Sequence, residues 1–154
     1  VADAAAALGL TIDIVTFAQS TRTAEDAAAA VGCEVGQIVK SLVFTVGGEA
    51  VMALVSGKNQ LDTRKLAALF GVGRKQVERA DADTVRAATG YAIGGVPPFG
   101  HATAMPVLVD QDLTTYDIIW AAAGTPNTVF AVVPADLVRA SGGTPADLRA
   151  ESHP

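Results

Sequence analysis

The run VKSLVFTVGGEAVMALVS, residues Val39–Ser56, carries the reading of the fold. Apolar residues recur through Val39–Val46, glycines follow at 47 and 48, and a second apolar run fills Ala50–Ser56. A Gly-Gly pair between two β-prone runs suits a tight hairpin whose turn needs positive φ. Alternation places Lys40, Leu42, Phe44 and Val46 on one side of the first strand, with Val39, Ser41, Val43 and Thr45 on the other. Lys40 thus shares the more apolar side. A lysine there must snorkel at the strand end, find a partner or point into a cleft.

Outward from the hairpin, helix signals flank both sides. Upstream, Thr23 caps a helix with Asp26 three residues on, Ala27–Ala30 favour the helical state, and Gly32 supplies the stop. Earlier still, Ala2–Leu8 reads as a short helix ended by Gly9, and Ile12–Phe17 as a strand. Downstream, Asp62 opens a helix through Leu69, with Leu61 as a hydrophobic staple and Gly71 as terminator. Gly73–Arg79 is charged and ambiguous, and Asp81 or Asp83 caps a helix ending before Gly90. Strands resume at Met105–Val109, Ile118–Ala123 and Val129–Val133, the last two joined by the turn at residues 124–127. Pro134 opens a short helix, and Thr144, Pro145 and Asp147 predict another. This order lacks regular β-α alternation. It predicts an α+β fold with a mixed or largely antiparallel sheet, curled on itself, and helices packed outside.

The chain has 154 residues, half of them apolar, which suits one hydrophobic core and is short for two domains. No run of about 18 apolar residues exists, so no membrane span is expected. The N-terminus carries Asp3 without a basic flank and does not read as a secretory signal. Cys33 is the single cysteine, so neither an internal disulfide nor a CxxC metal knuckle can form. A reducing, cytoplasmic setting follows as the simplest expectation. With only His101 and His153 as imidazoles, no metal site and no cofactor are expected. The net charge of −5 disfavours nucleic acid, but it is unevenly spread. Residues 40–86 hold eight Lys/Arg against five Asp/Glu, an excess of +3 that leaves −8 elsewhere. That asymmetry fits either a local anion-binding surface or a pair of solvated helices.

The richest candidate for chemistry is the loop Gly94-Gly95-Val96-Pro97-Pro98-Phe99-Gly100. Its glycines permit sharp turns and close approach to main-chain N–H groups, while its prolines stiffen the path. The segment suits a rigid nest for an anion or carbonyl oxygen, or an ordinary helix-to-strand turn. It is neither a GxGxxG fingerprint nor a Walker loop. Lys40 offers a cation for a phosphate, carboxyl or carbonyl oxygen. Asp110 would orient a ligand or Lys40, or simply start the turn DQDL. His101, directly after the loop, would donate a proton or serve structure. Ser20, Thr21 and Thr23 would line a pocket only if their loop folds back. No nucleophile–base pair, carboxylate pair or HExxH stands out.

The ordered set TAEDAAAAVG (Thr23–Gly32), QIVKSLVF (Gln37–Phe44), LDTRKLAALFG (Leu61–Gly71), TGYAIGGVPPFG (Thr89–Gly100) and PVLVD (Pro106–Asp110), with the late glycine turn at Gly124, resembles the YbaK/EbsC family of aminoacyl-tRNA editing domains, also called prolyl-tRNA-synthetase-associated domains. The resemblance spans nearly the whole chain and implies a mixed, strongly curved, partly barrel-like β-sheet surrounded by helices. It implies hydrolysis of the ester joining a wrong amino acid, alanine or cysteine, to the 3′-terminal adenosine of tRNA for proline. A ribose hydroxyl, water or the substrate thiol would take the place of a protein nucleophile. The partners implied are that tRNA end and prolyl-tRNA synthetase, although the length resembles a free-standing domain. Lys40, Gly94, Gly95 and Pro98 are then expected at the reacting centre, and Val96, Pro97, Phe99, Gly100, His101 and Asp110 around the substrate. His101 inherits no definite role from the family. The alternative is a noncatalytic module that binds an adenosine-like ligand or a translation partner.

Overall fold

Turn chemistry builds the centre of the protein. In the computed structural model, which describes residues 2–10, 12–17, 23–125 and 127–150, strands β2 (Val39–Val46) and β3 (Glu49–Ser56) pair antiparallel from Val39↔Ser56 to Val46↔Glu49. Gly47 (φ 58°) and Gly48 (φ 86°) form the two-residue turn, with the paired positive φ that matches the twist of the strands. The hairpin sits in a five-stranded sheet of order β4-β2-β3-β5-β8, with β4 at Val77–Arg79, β5 at Val107–Asp110 and β8 at Thr144–Ala146. β4 pairs antiparallel with β2, whereas β5 lies parallel to β3 and β8 parallel to β5. A parallel neighbour requires a long crossover. Between β3 and β5 the chain runs through helix α3 (Thr63–Leu69), β4, helix α4 (Ala82–Thr89) and the glycine-proline loop. A second sheet, order β1-β7-β6, is antiparallel and uses Ile14–Thr16, Thr128–Val132 and Ile119–Ala122 respectively.

Both faces of the larger sheet are buried. Val39, Val43, Met52, Leu54, Val107 and Val109 pack toward the second sheet, meeting Ile119 and Phe130 and also Leu137 of α5 (Pro134–Ser141). Phe44, Val46, Val51, Ala53 and Val55 face Leu66 and Ala67 of α3. Fully burying such side chains contributes about 1.5–3 kcal/mol each. Helix ends follow local chemistry. The Thr23 hydroxyl accepts from Asp26 N–H at 3.1 Å to cap α2 (Ala24–Val31), and Asp62 and Asp81 accept from Arg64 and Thr84 N–H to cap α3 and α4. The first helix, α1, covers Ala2–Ala7. Among the described residues no helix is long and apolar enough to cross a membrane.

Two expectations are corrected. The sheet is not strongly curved or barrel-like: the strands divide into two open sheets, and the outer strands β4 and β8 pair with each other nowhere among the described residues. Closure needs continuous ladders of matched tilt and stagger. Among the described residues the sheets are linked only by an isolated parallel bridge, Ile38↔Trp120, and β4 reaches no further along β2 than Phe44–Val46. Second, Thr144-Pro145-Ala146 is the edge strand β8 and not a helix start. Pairing with β5 outweighs the local capping pattern, and an edge strand tolerates proline's missing N–H. The Gly73–Arg79 segment, ambiguous in sequence, resolves into one 3-10 turn, Arg74–Gln76, followed by β4. Elsewhere the strands differ from expectation only by a residue or two at their ends.

Candidate functional site

Because β4 stops at Phe44, the half of β2 from Val39 to Leu42 presents an edge without a ladder partner among the described residues. A cavity of about 290 Å³ opens on that edge. Its lining includes Val39, Lys40, Ser41 and Leu42 in succession. Side chains of a strand alternate between faces, so four consecutive residues meet one cavity where the strand offers its edge, main chain included. The opposite wall is β6 and β7, through Trp120, Ala121, Ala122, Thr128 and Val129. Thr23, Ala24 and Ala27 at the start of α2 close one end, and Ile93, Gly94, Val96 and Thr125 another. Arg79, at the end of β4, stands beside them with its guanidinium 5.9 Å from the centre of the Phe44 ring.

Lys40 and the glycine-proline loop thus border the same space. The Lys40 ammonium donates to the carbonyl oxygen of Asn59. Burial pushes its pKa below the usual lysine value, while the carboxylates of Glu25 and Asp110 push it up and Arg79 pushes it down. Gly94 holds φ 92°, a backbone state other residues rarely adopt, and this brings the loop's main chain to the cavity wall. Gly95 is needed for a different reason: a Cβ there would lie 2.8–2.9 Å from the Cα, C and N of Thr125. The Gly95 amide already donates to the Ala92 carbonyl at 3.1 Å and is not a free donor. Among the described residues the amides of Gly94 and Val96 have no protein acceptor.

The rest of the expected set lies behind this wall. Pro97 and Pro98 are buried, and Phe99 is a core residue whose ring lies 5.7 Å from that of Phe130. Gly100 turns the chain at φ 74°. His101 Nε2 is 2.6 Å from the Pro97 carbonyl oxygen, so this imidazole braces the loop from behind. Burial lowers its pKa, against the opposing pull of that carbonyl. Asp110 is fully buried and borders no part of the cavity. Lys40, Gly94 and Val96 are therefore the members of the expected set that the cavity brings together. Thr23 joins them, whereas Ser20 and Thr21 lie outside the described residues, as does His153.

Trp120, Arg79, Thr125 and Thr128 were not singled out from sequence. Each reaches the cavity through contacts distant in the chain. The one local hint was the chain's single tryptophan, set in an alanine-rich strand beside the Gly124 turn.

Comparison with known proteins agrees with this architecture. Over 126 residues the chain is 32% identical to the uncharacterized protein YwhH of Bacillus subtilis (strain 168), covering 81% of this chain and 78% of YwhH. It is 40% identical over 93 residues to the proline–tRNA ligase of Maridesulfovibrio salexigens, 60% of this chain but 16% of the ligase. The chain therefore matches about a sixth of that relative's length. A solved structure of a protein proposed to be a trans-editing enzyme for prolyl tRNA synthetase superposes with a TM-score of 0.91 at 46% identity, covering 97% of this chain and 94% of the other. Residues 18–140, which contain the open edge of β2, Lys40 and the glycine-proline loop, match the aminoacyl-tRNA editing domain. With its cavity built from that matched segment, the chain belongs to the aminoacyl-tRNA editing domain family, of the YbaK/EbsC type.

Proposed function

We propose that this chain is an aminoacyl-tRNA deacylase acting in trans, which hydrolyses the ester between a small wrong amino acid, alanine or cysteine, and the 3′-terminal adenosine of tRNA for proline. The observation that carries the reading is the cavity on the open edge of β2, bordered by Lys40 and by Gly94 and Val96. At about 290 Å³ it lies at the small end of ligand pockets, which suits a small aminoacyl group and part of the ribose. The adenine and phosphates would stay at the mouth, beside Lys40 and Arg79. Similarity to a protein proposed to be a trans-editing enzyme for prolyl tRNA synthetase, and to a segment of proline–tRNA ligases, supports tRNA for proline and its synthetase as partners.

In this reading the ester carbonyl rests against the Gly94 and Val96 amides, where negative charge develops as the carbonyl carbon is attacked. The attacking oxygen comes from water, assisted by the neighbouring ribose hydroxyl. For cysteine the substrate thiol can attack instead, expelling the ribose oxygen and leaving a cyclic thioester that water then opens to the free amino acid. As the tetrahedral centre collapses, the bond to the ribose oxygen breaks and that oxygen takes up a proton. Lys40 offsets phosphate charge and fixes the terminal nucleotide without acting as a base. The described lining of the cavity contains no Asp, Glu, His or Cys, which favours a nucleophile brought by the substrate.

The test is a panel of defined aminoacyl-tRNAs, with wild type compared with Lys40→Ala and Gly94→Ala. Release of alanine or cysteine by wild type, greatly reduced in both variants, is the expected result. An intact protein that deacylates nothing defeats the enzyme reading, and wild-type activity in both variants defeats the site. The same lack of a base in the lining favours a noncatalytic adenosine-binding module as second reading. Saturable binding of an uncleavable aminoacyl-adenosine analogue, seen through Trp120 fluorescence and without turnover of the ester, would decide for it.

A further inference from the structure

Lys40 is the end of a chain of contacts that starts in the core. The carbonyl oxygen receiving its ammonium belongs to Asn59, a residue only 5% exposed. Asn59 is gripped through the nitrogen of its side-chain amide: Nδ2 donates to Asp110 Oδ2 at 2.8 Å and to Asp112 Oδ2 at 2.9 Å. Its own N–H donates to the Ser56 carbonyl at 2.9 Å. Asp110, 0% exposed, also accepts the Ser56 N–H on Oδ2 at 3.1 Å and the Asp112 N–H on Oδ1 at 3.0 Å. This carboxylate therefore ties the ends of β3 and β5 to the turn that carries Asn59.

The general site offers Lys40 few anions. From the elements packed around it, Glu25 of α2 and Asp110 of β5 favour its charged form, while Arg79 of β4 and burial oppose it. Glu25 is exposed, so its field is screened by water, whereas that of Asp110 is not. We propose that Asp110 is a positioning residue of this site: through Asn59 it fixes where the Lys40 ammonium stands, so that its carboxylate acts on that lysine from within the core. It touches no substrate and borders no part of the cavity. The proposal deepens the deacylase reading and rests on it for its effect on turnover, but not for its effect on Lys40.

The experiment follows the Lys40 side chain by NMR through a pH titration, in wild type, Asp110→Asn and Asp112→Asn. Asp112 grips the same amide but is partnered by Arg149 at 3.4 Å and is not among the charges acting on Lys40, so it controls for loosening of the turn. The Lys40 titration is expected to move to lower pH in Asp110→Asn and to stay in place in Asp112→Asn. Activity on the cleaved aminoacyl-tRNA is expected to fall between about ten- and a hundredfold in kcat/KM for Asp110→Asn, chiefly in kcat. Should Asp110→Asn fail to fold, Asn59→Ala keeps the carboxylate and both of its main-chain donors while removing the strap. Increased mobility at the Lys40 ε-carbon, with a loss in kcat, then supports the role. An unmoved Lys40 titration in Asp110→Asn, or an unmoved Lys40 signal in Asn59→Ala, overturns it. Because the NMR readout needs no substrate, an inactive wild type whose Lys40 responds as expected sinks the deacylase reading alone.

Discussion

Replacing Gly95 by alanine puts a methyl group into space that the main chain of Thr125, at the same end of the cavity, already fills. The new Cβ would stand 2.8 Å from Thr125 Cα and 2.9 Å from its C and N. Carbon atoms rest comfortably at about 3.5–4.0 Å, so the two segments must separate by roughly half an ångström or more. Neither yields readily. The obstacle is backbone and cannot swing aside as a side-chain end would. Thr125 is also tied down, its Oγ1 lying 2.7 Å from Asn127 Oδ1 and 2.8 Å from Thr128 Oγ1. On the other side, the Gly95 amide is held by Ala92. Overpacking of this kind costs about 1–3 kcal/mol. Taking about 2 kcal/mol, the melting temperature of a chain this size should fall by about 4–8 °C. The same separation widens the cavity between Gly94 and Thr125, so discrimination among aminoacyl esters should weaken. One methylene is worth about 1–3 kcal/mol in a fitted pocket, and much of that difference should disappear. The assay pairs thermal melting followed by circular dichroism with kcat/KM across aminoacyl-tRNAs that differ by single methylenes. Wild-type melting, to within about a degree, together with unchanged selectivity would refute the close-contact account.

Thr23→Ala removes the oxygen that accepts from Asp26 N–H and should cost about 1 kcal/mol in denaturant unfolding, with a raised KM because the start of α2 closes the cavity. Leu66→Ala, at a fully buried position on the α3 side of the sheet, should cost about 2–5 kcal/mol while leaving amino-acid selectivity as in wild type. Burial lowers the His101 pKa, so the unfolded chain takes up this proton near its ordinary pH of about 6.5, before the folded protein does. Stability from this group is therefore complete above about pH 6.5 and declines as pH falls toward the lowered folded value, a slope that His101→Asn should flatten in urea titrations.

The hairpin was legible because everything that makes it is local: alternating apolar residues in Val39–Val46 and two glycines able to take positive φ. The same holds for the helices capped by Thr23, Asp62 and Asp81, each cap reaching only two or three residues along the chain. What failed was non-local. Thr144-Pro145 looks like a helix start until β5 is available to pair with it, and the strongly curved sheet expected from family resemblance gave way to two open sheets. At the site, Lys40 and Gly94 could be named because a cation on an apolar strand side and a glycine-rich turn are conspicuous in isolation. Trp120, Thr125 and Arg79 could not, since nothing near them in sequence says that β6, the following turn and β4 converge on β2. Asp110 was suspected of orienting a ligand or Lys40. Its contact runs through the main-chain oxygen of Asn59, a group that every residue carries and that no pattern can flag.

The bare half-edge of β2 also bears on how such a domain can change over generations. Peptide groups are the same whichever amino acids are attached to them, so contacts supplied by an exposed strand margin survive substitution at the positions that supply them. A side chain of the lining such as Ile93 is then at liberty to vary and retune which amino acid is admitted. If the proposed substrate is held by peptide groups, the pocket can diverge in what it admits without first losing the ability to hold it.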